Sequence, residues 1–278
     1  MNLALKVIDD ICVGSKTLNR ESLLRYEEVA KKQPQLEIPV KHHIHGGMYG
    51  REITIPKDTI ITGQIYKFDH FDVMISGDIT VSTDSGETKR FTGYNCFKGM
   101  SGKKRAGYAH EDTTWITFHP FSGKDGDSIQ DFITADSFEE LELFNTVINR
   151  ADYESMVNSM NTTEKDIRSV VENDLDQIKM PIGYEHIYLN DSKLEGKGIY
   201  SSKKIINGDF ICPSRIGNKR TPAGRYTNHA LQPNAKMIFN HNGMDLVAIK
   251  DIEVNEEITV NYRNVIIDRF IKGDLCQE

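Results

Sequence analysis

A chain of 278 residues with 38% hydrophobic content is long enough for more than one buried core. It has no run of eighteen apolar residues, and Asp9 and Asp10 follow the start too soon for a signal peptide's apolar stretch, which predicts a cytoplasmic protein with no membrane segment. The formal net charge of −7 is concentrated: positions 110 to 180 hold 16 acidic against 5 basic residues, so no continuous basic stripe is available to nucleic-acid phosphates and no nucleic acid is expected as a partner. Cys12, Cys96, Cys212 and Cys276 are scattered, with no pair at the spacing of a structural zinc site or redox motif, and are read as reduced thiols.

Residues 19 to 33 predict a short helix capped by Asn19, with Leu23, Tyr26 and Ala30 on one face before Pro34 and Pro39 interrupt it. Short β-branched and aromatic segments follow at 51–56, 60–68, 72–83, 87–97 and 107–119. Turn residues such as Lys57-Asp58, Gly77-Asp78 and Ser85-Gly86 separate them, and strands at this spacing predict a small barrel or sandwich. From about 128 to 179 the period becomes helical. Phe138, Leu141, Phe144 and Ile148 recur on one face behind a capping box of Ser137 and Glu140, and Thr163 with Asp166 forms a second box before a stripe of Ile167, Val170, Val171, Leu175 and Ile178. The acidic faces of these two or three helices are read as solvated surface. Beyond Pro181 strands return, with a hairpin signal at Asn242-Gly243 between 236–239 and 246–249.

Four segments result: a helical and extended start (1–45), a β-barrel (46–120), an acidic helical connector (121–180) and a C-terminal β domain (181–278). The expected class is mainly β with a helical connector.

The last segment carries three motifs in order. Gly196-Lys197-Gly198 lets backbone approach a ligand and turn with positive φ, or makes a tight inter-strand turn. Asn228 and His229, within Arg225-Tyr226-Thr227-Asn228-His229 and followed by Pro233-Asn234, can serve an adenine edge, a carboxylate or neighbouring backbone. The third is Glu256-Glu257-Ile258-Thr259-Val260-Asn261-Tyr262. Together, over about 183–266, they resemble the SET family of protein-lysine methyltransferases, in which the matching Asn-His strand threads a loop as a pseudoknot. The resemblance implies that S-adenosylmethionine is bound by Gly196, Lys197, Gly198, Arg225, Asn228 and His229. It also implies that Tyr262 is catalytic and that the partner is a lysine-containing protein. Ala230, Gln232, Val260 and Asn261 depart from the family pattern, the segment between Pro213 and Arg225 is short, and the 266–275 stretch, the acidic helices or another subunit is left to close the substrate channel.

The 51–56, 63–70, 77–81 and 107–115 stretches look like a divergent cupin barrel of the kind met in bacteriophage proteins, and 219–229 looks like phage-encoded SET proteins. A bacteriophage origin and location in the host cytoplasm are implied. His42, His43 and His45 precede the barrel in this reading, while His70, His110 and His119 lie in it. The cupin metal pattern is broken, so the site is read as holding no metal, with His70, His110 and Tyr66 as the alternative ligand set. Such barrels expose sheet edges and faces that oligomerisation can cover, which predicts a homo-oligomer through the N-terminal domain. Two other functions stay open: a non-catalytic virion-associated or host-interaction protein retaining a SET fold, and a cupin module that binds metal or sugar.

Overall fold

The computed structural model describes residues 20–83, 86–121 and 126–266. The Asn19 cap, Ser85 of one predicted turn, Cys12, Cys276 and positions 267–275 of the proposed channel-closing segment lie outside them. The chain divides into two compact units, Met1–Leu143 and Phe144–Glu278. The division falls within the acidic segment, whose residues are shared between the two units.

In the first unit, helix α1 (Arg20–Ala30) buries Leu23 and Tyr26, three residues apart and so on one face. The strands are β1 (Val40–His45), β2 (Met48–Ile55), β3 (Ile60–Thr62), β4 (Ile65–Tyr66), β5 (His70–Ser82), β6 (Thr88–Thr92), β7 (Asn95–Gly99) and β8 (Ala106–Pro120). They pair in the order β1-β2-β8-β5-β6, with β3 added to β8 and β7 to β5. The fold is thus mainly β, and among the described residues this path is open rather than closed into a ring.

The three histidines at 42, 43 and 45 belong to this sheet. Gly46 and Gly47 both adopt positive φ, 57° and 77°, which makes the two-residue turn that folds β1 back along β2 from His45↔Met48 to Val40↔Ile53. The predicted 60–68 and 87–97 strands are each interrupted, the second at Gly93 with φ 63°. The long pair β5 and β8 slips register between Met74 and Ile79. Gly77, with φ 110°, sits in that bulge, where a Cβ would run into the Thr113 backbone. Ile53, Ile55, Met74, Ile79, Val81 and Ala109 form one core of this unit, and Tyr49, Tyr66, Phe121, Ile129 and Ile133 another.

Helix α2 (Gly126–Ile133) leads into β9 (Thr134–Ala135), which pairs with β4. Helix α3 (Phe138–Ser159) follows, and α4 spans Glu164–Val171. The Ser137 side chain accepts from the Glu140 amide, but Glu140 returns its bond to the Asp136 amide, so the first expected box is only half reciprocal. The Thr163–Asp166 box is complete. The stripe continuing to Ile178 does not form a packed face: α4 buries no residue and ends at Val171, and Leu175 is 84% exposed. Arg220 explains the stop. Its guanidinium grips Asp176 with two bonds of 2.7 Å and takes the carbonyls of Val170 and Asn173, holding the chain in a turn at the helix's negative end.

The second unit has two four-stranded sheets. One runs β10 (Ile187–Asp191), β11 (Lys197–Ser201), β17 (Glu257–Val260), β14 (Asn228–His229); the other runs β13 (Lys219–Arg220), β12 (Phe210–Ile216), β16 (Gly243–Ala248), β15 (Ala235–Asn240). Helix α5 (Pro222–Tyr226), capped by the Thr221 hydroxyl, lies between β13 and β14 in sequence. The predicted hairpin forms, but Asn240 pairs with Gly243, so His241-Asn242 are its tip. Gly243 opens β16 against the Arg215 backbone, which leaves no room for a Cβ. Ile199, Ile211, Leu246, Ile252, Ile258 and Val260 anchor the core between these sheets.

Candidate active site

Strand β14 pairs in parallel with β17, Asn228 opposite Thr259 and His229 opposite Val260. This brings the second and third motifs together, and β11 beside β17 adds the first. Gly196 turns with φ 52° into open space, and a Cβ on Gly198 would strike the Glu257 carboxylate. The Asn228 amide Nδ2 donates to the Glu195 carbonyl at 3.1 Å, the Lys197 carbonyl at 3.1 Å and Glu257 Oε1 at 2.8 Å. Its two hydrogens are therefore spent on clamping the glycine loop to β17. The Lys197 ammonium points elsewhere, to Asp191 at 2.8 Å on the exposed surface, so this residue offers the site its backbone.

Glu257 is the hub of this cluster, accepting from Ser192 Oγ at 2.8 and 2.9 Å and from the Tyr200 hydroxyl at 3.2 Å as well as from Asn228. Burial, reinforced by that carboxylate, pushes the Tyr200 phenol up to about 12. Sequence reading quoted Glu257 within a motif without giving it a role.

His229 is buried, with Nε2 at 3.0 Å from Asp152 Oδ2 and Nδ1 accepting from the Tyr262 amide at 3.1 Å. Those partners define the tautomer, with the proton on Nε2 and donated to Asp152. Arg263 also reaches Asp152, from Nε and Nη2. Burial lowers the histidine's pKa, Asp152 opposes that, and Arg263 adds to it. Asp152 lies on α3 among acidic residues read as solvated surface; nothing in the local sequence distinguishes it from them.

Tyr262 is partly exposed, but its hydroxyl turns inward and donates to the Thr227 carbonyl at 2.9 Å. Its ring lies 5.2 Å from His229 and 6.3 Å from Tyr153. Burial, with Tyr153 and Glu257 nearby, raises this phenol's pKa far above its ordinary value, so it stays protonated at neutral pH.

Arg225, on α5 against β11, has its guanidinium carbon 5.0 Å from the Tyr226 ring centre. Its Nε and Nη1 are shielded from solvent and have no hydrogen-bond partner among the described residues. A buried guanidinium with unused donors suits a carboxylate. S-adenosylmethionine carries one on its amino-acid end, so the donor set fits that cofactor.

Of the alternative metal set, Tyr66 meets His70 edge-on at 4.5 Å, but the histidine stacked on His70 is His119, at 4.7 Å. His110 instead bonds Thr80 Oγ1 at 2.8 Å and meets the Tyr108 ring. No group of three or more His, Cys, Asp or Glu among the described residues is arranged to hold a metal ion, and no helix among them is long and apolar enough to cross a membrane.

A glycine turn, an Asn-His strand and a tyrosine gathered on one small sheet define a SET-type unit. The SET domain family matches residues 54–263, and the chain belongs to that family. Human histone-lysine N-methyltransferase SMYD3 is 33% identical over 69 residues, which is 24% of this chain and 16% of that relative's length. Solved structures overlap about a third of the chain. KdgF from Halomonas sp. is 16% identical, covering 35% of this chain and 90% of its own at a TM-score of 0.29. A cupin domain from Bordetella pertussis Tohama I is 11% identical, covering 32% and 99% at 0.27, and a conserved protein of unknown function from Streptococcus pyogenes is 16% identical, covering 33% and 80% at 0.27.

Proposed function

We propose that this protein is an S-adenosylmethionine-dependent protein-lysine N-methyltransferase. The observation that carries the reading is the Tyr262 hydroxyl, locked onto the Thr227 carbonyl immediately before the Asn228-His229 strand that clamps the glycine loop. When bound, the cofactor would supply a methyl group on a sulfonium. Arg225 would hold its carboxylate, and the backbone at Gly196, Lys197 and Gly198, with Asn228 and His229, would shape its bed. A neutral substrate amine placed in line would take that methyl group from sulfur to nitrogen, and its surplus proton would leave to solvent. Tyr262 cannot take that proton at neutral pH, because its own is held too tightly. Its role is positional: the bond to Thr227 fixes the hydroxyl, whose lone pairs then orient the amine.

The remaining parts of the reading are that the N-terminal unit is of the cupin type and self-associates, that the substrate is a lysine-bearing protein, and that the protein acts in the cytoplasm of a phage-infected host. The test is incubation with methyl-deuterated S-adenosylmethionine and bacterial extract, followed by mass spectrometry. Deuterated methyl on lysine, strongly reduced at equal times with Tyr262→Phe, is the expected outcome. An unlabelled extract together with no calorimetric binding of the cofactor would instead support a binding protein built on a SET fold.

A further inference from the structure

Side chains alternate along β5 and β8, and both of their faces are apolar. Asp72 and Met74 of β5 and Thr117 of β8 are buried on the inner side. Phe71, Val73 and Ile75, with Ile116 and Phe118, therefore point outward, where Phe71 is 53% exposed and Ile75 46%. Residues directly opposite in an antiparallel pair share a face, so the register lays these side chains in rows across four strands. One row runs Gly50, Phe118, Phe71, Lys98, and the next runs Glu52, Ile116, Val73, Cys96. The Phe118 ring leans over Gly50, where a Cβ would come within 3.1 Å of it, so the apolar surface reaches onto β2. A contiguous apolar patch left open to water marks a contact surface.

The two flanks of the patch carry opposite charges. On β2 stands Glu52, which accepts from Lys41 at 2.9 Å and His43 at 2.8 Å on the same face. A carboxylate has about four acceptor sites, so roughly two remain. On β7 stands Lys98, exposed and paired with no carboxylate among the described residues. Strands β2, β8, β5 and β7 are neighbours in that order, so the midline between β8 and β5 has one apolar and one charged strand on either side. A two-fold axis along that midline sets β8 against β5 of a second copy and β2 against its β7. Glu52 and Lys98 then meet twice, offset by one row, about 7 Å along the strands, a step that a lysine side chain spans.

We propose that this face is the contact between two copies of the chain, packed sheet on sheet with Phe71, Val73, Ile116 and Phe118 at its centre and two Glu52–Lys98 pairs at its rim. The proposal rests on the reading that the first unit self-associates, and it names the surface and the pairing. It uses no residue of the candidate active site.

The test is sedimentation equilibrium of the full chain in low salt over a range of concentrations. A dimer that dissociates on dilution is expected. Phe71→Asp should raise its dissociation constant roughly thirtyfold or more. Glu52→Lys and Lys98→Glu each set like charges together and should weaken it roughly tenfold, while the two combined should recover most of the loss. Within one copy these positions are three strand spacings apart, about 14 Å, too far to pair, so recovery arises only between copies. Melting curves identify any variant that fails to fold, and the charge exchange decides the matter if Phe71→Asp does. A monomer even at about 0.5 mM would overturn the proposal together with the self-association reading. A dimer of unaltered strength in folded Phe71→Asp, or no recovery in the combined charge exchange, would overturn this face alone and leave self-association to another surface.

Discussion

Asp152 and His229, 77 residues apart in sequence, meet at 3.0 Å, and the ring's other nitrogen receives the Tyr262 amide. One imidazole thus ties α3 to β14 and to the chain two residues past β17, with every nitrogen used. Asp152→Ala would strip the acceptor from a buried N–H and leave the Arg263 guanidinium without its carboxylate. A loss of about 1–3 kcal/mol in urea-unfolding stability is expected. Unchanged stability would show that the link is incidental.

Tyr262→Phe keeps the ring beside His229 and Tyr153 and removes one oxygen. Single-turnover methyl transfer should slow by about 2–4 kcal/mol of barrier, roughly thirty- to a thousandfold. Loss of the bond to Thr227 should cost only about 0.5–1.5 kcal/mol of stability. Equal transfer rates would leave the hydroxyl a structural role alone.

Arg225→Met separates affinity from stability. Two guanidinium nitrogens are shielded and unbonded among the described residues, so replacing the side chain with an apolar one of similar length should leave stability unchanged or raise it. S-adenosylmethionine affinity should fall by about 1.5–3 kcal/mol, roughly ten- to a hundredfold, if this side chain holds the carboxylate. Calorimetry and a melting curve on the same sample give both numbers; undiminished affinity would place the carboxylate elsewhere.

His119 makes stability depend on pH. It is 1% exposed, with neither ring nitrogen bonded among the described residues, and burial, with His70 and Arg51 nearby, pushes its pKa down to about 3 from 6.5. Above pH 6.5 neither the folded nor the unfolded state is protonated there. Between 6.5 and about 3 only the unfolded state holds the proton, so stability falls as pH falls, by about 1.4 kcal/mol per unit. Below that both hold it and the dependence ends. His119→Phe should flatten the pH 4–6 part of a denaturation series by about that slope, and an unaltered slope would assign the acid sensitivity to other groups.

Much of the candidate site could be read in advance because its parts are local: Gly196 and Gly198 flank one residue, Asn228 and His229 are adjacent, and Tyr262 lies two residues past a short strand. The strands of the first unit were legible for the same reason, through β-branched runs and turn residues, although Gly46-Gly47 was passed over and β1 with it. Asp152 was not legible. It differs from its acidic neighbours only in what folding places opposite it, and no periodicity encodes a partner 77 positions away. The Ile167–Ile178 stripe shows the converse, a helical period overruled by the Arg220 grip on Asp176 and the last carbonyls of α4.

The open strand path of the first unit leaves β1 at one end and β6 at the other. Their sequences are Val-Lys-His-His-Ile-His and Thr-Lys-Arg-Phe-Thr. Docking the same edge of two copies would set Lys41 near Lys41, or Lys89 and Arg90 near themselves. Such edges resist extension into a continuous sheet between molecules. The like charges on both edges therefore work against fibrous aggregation.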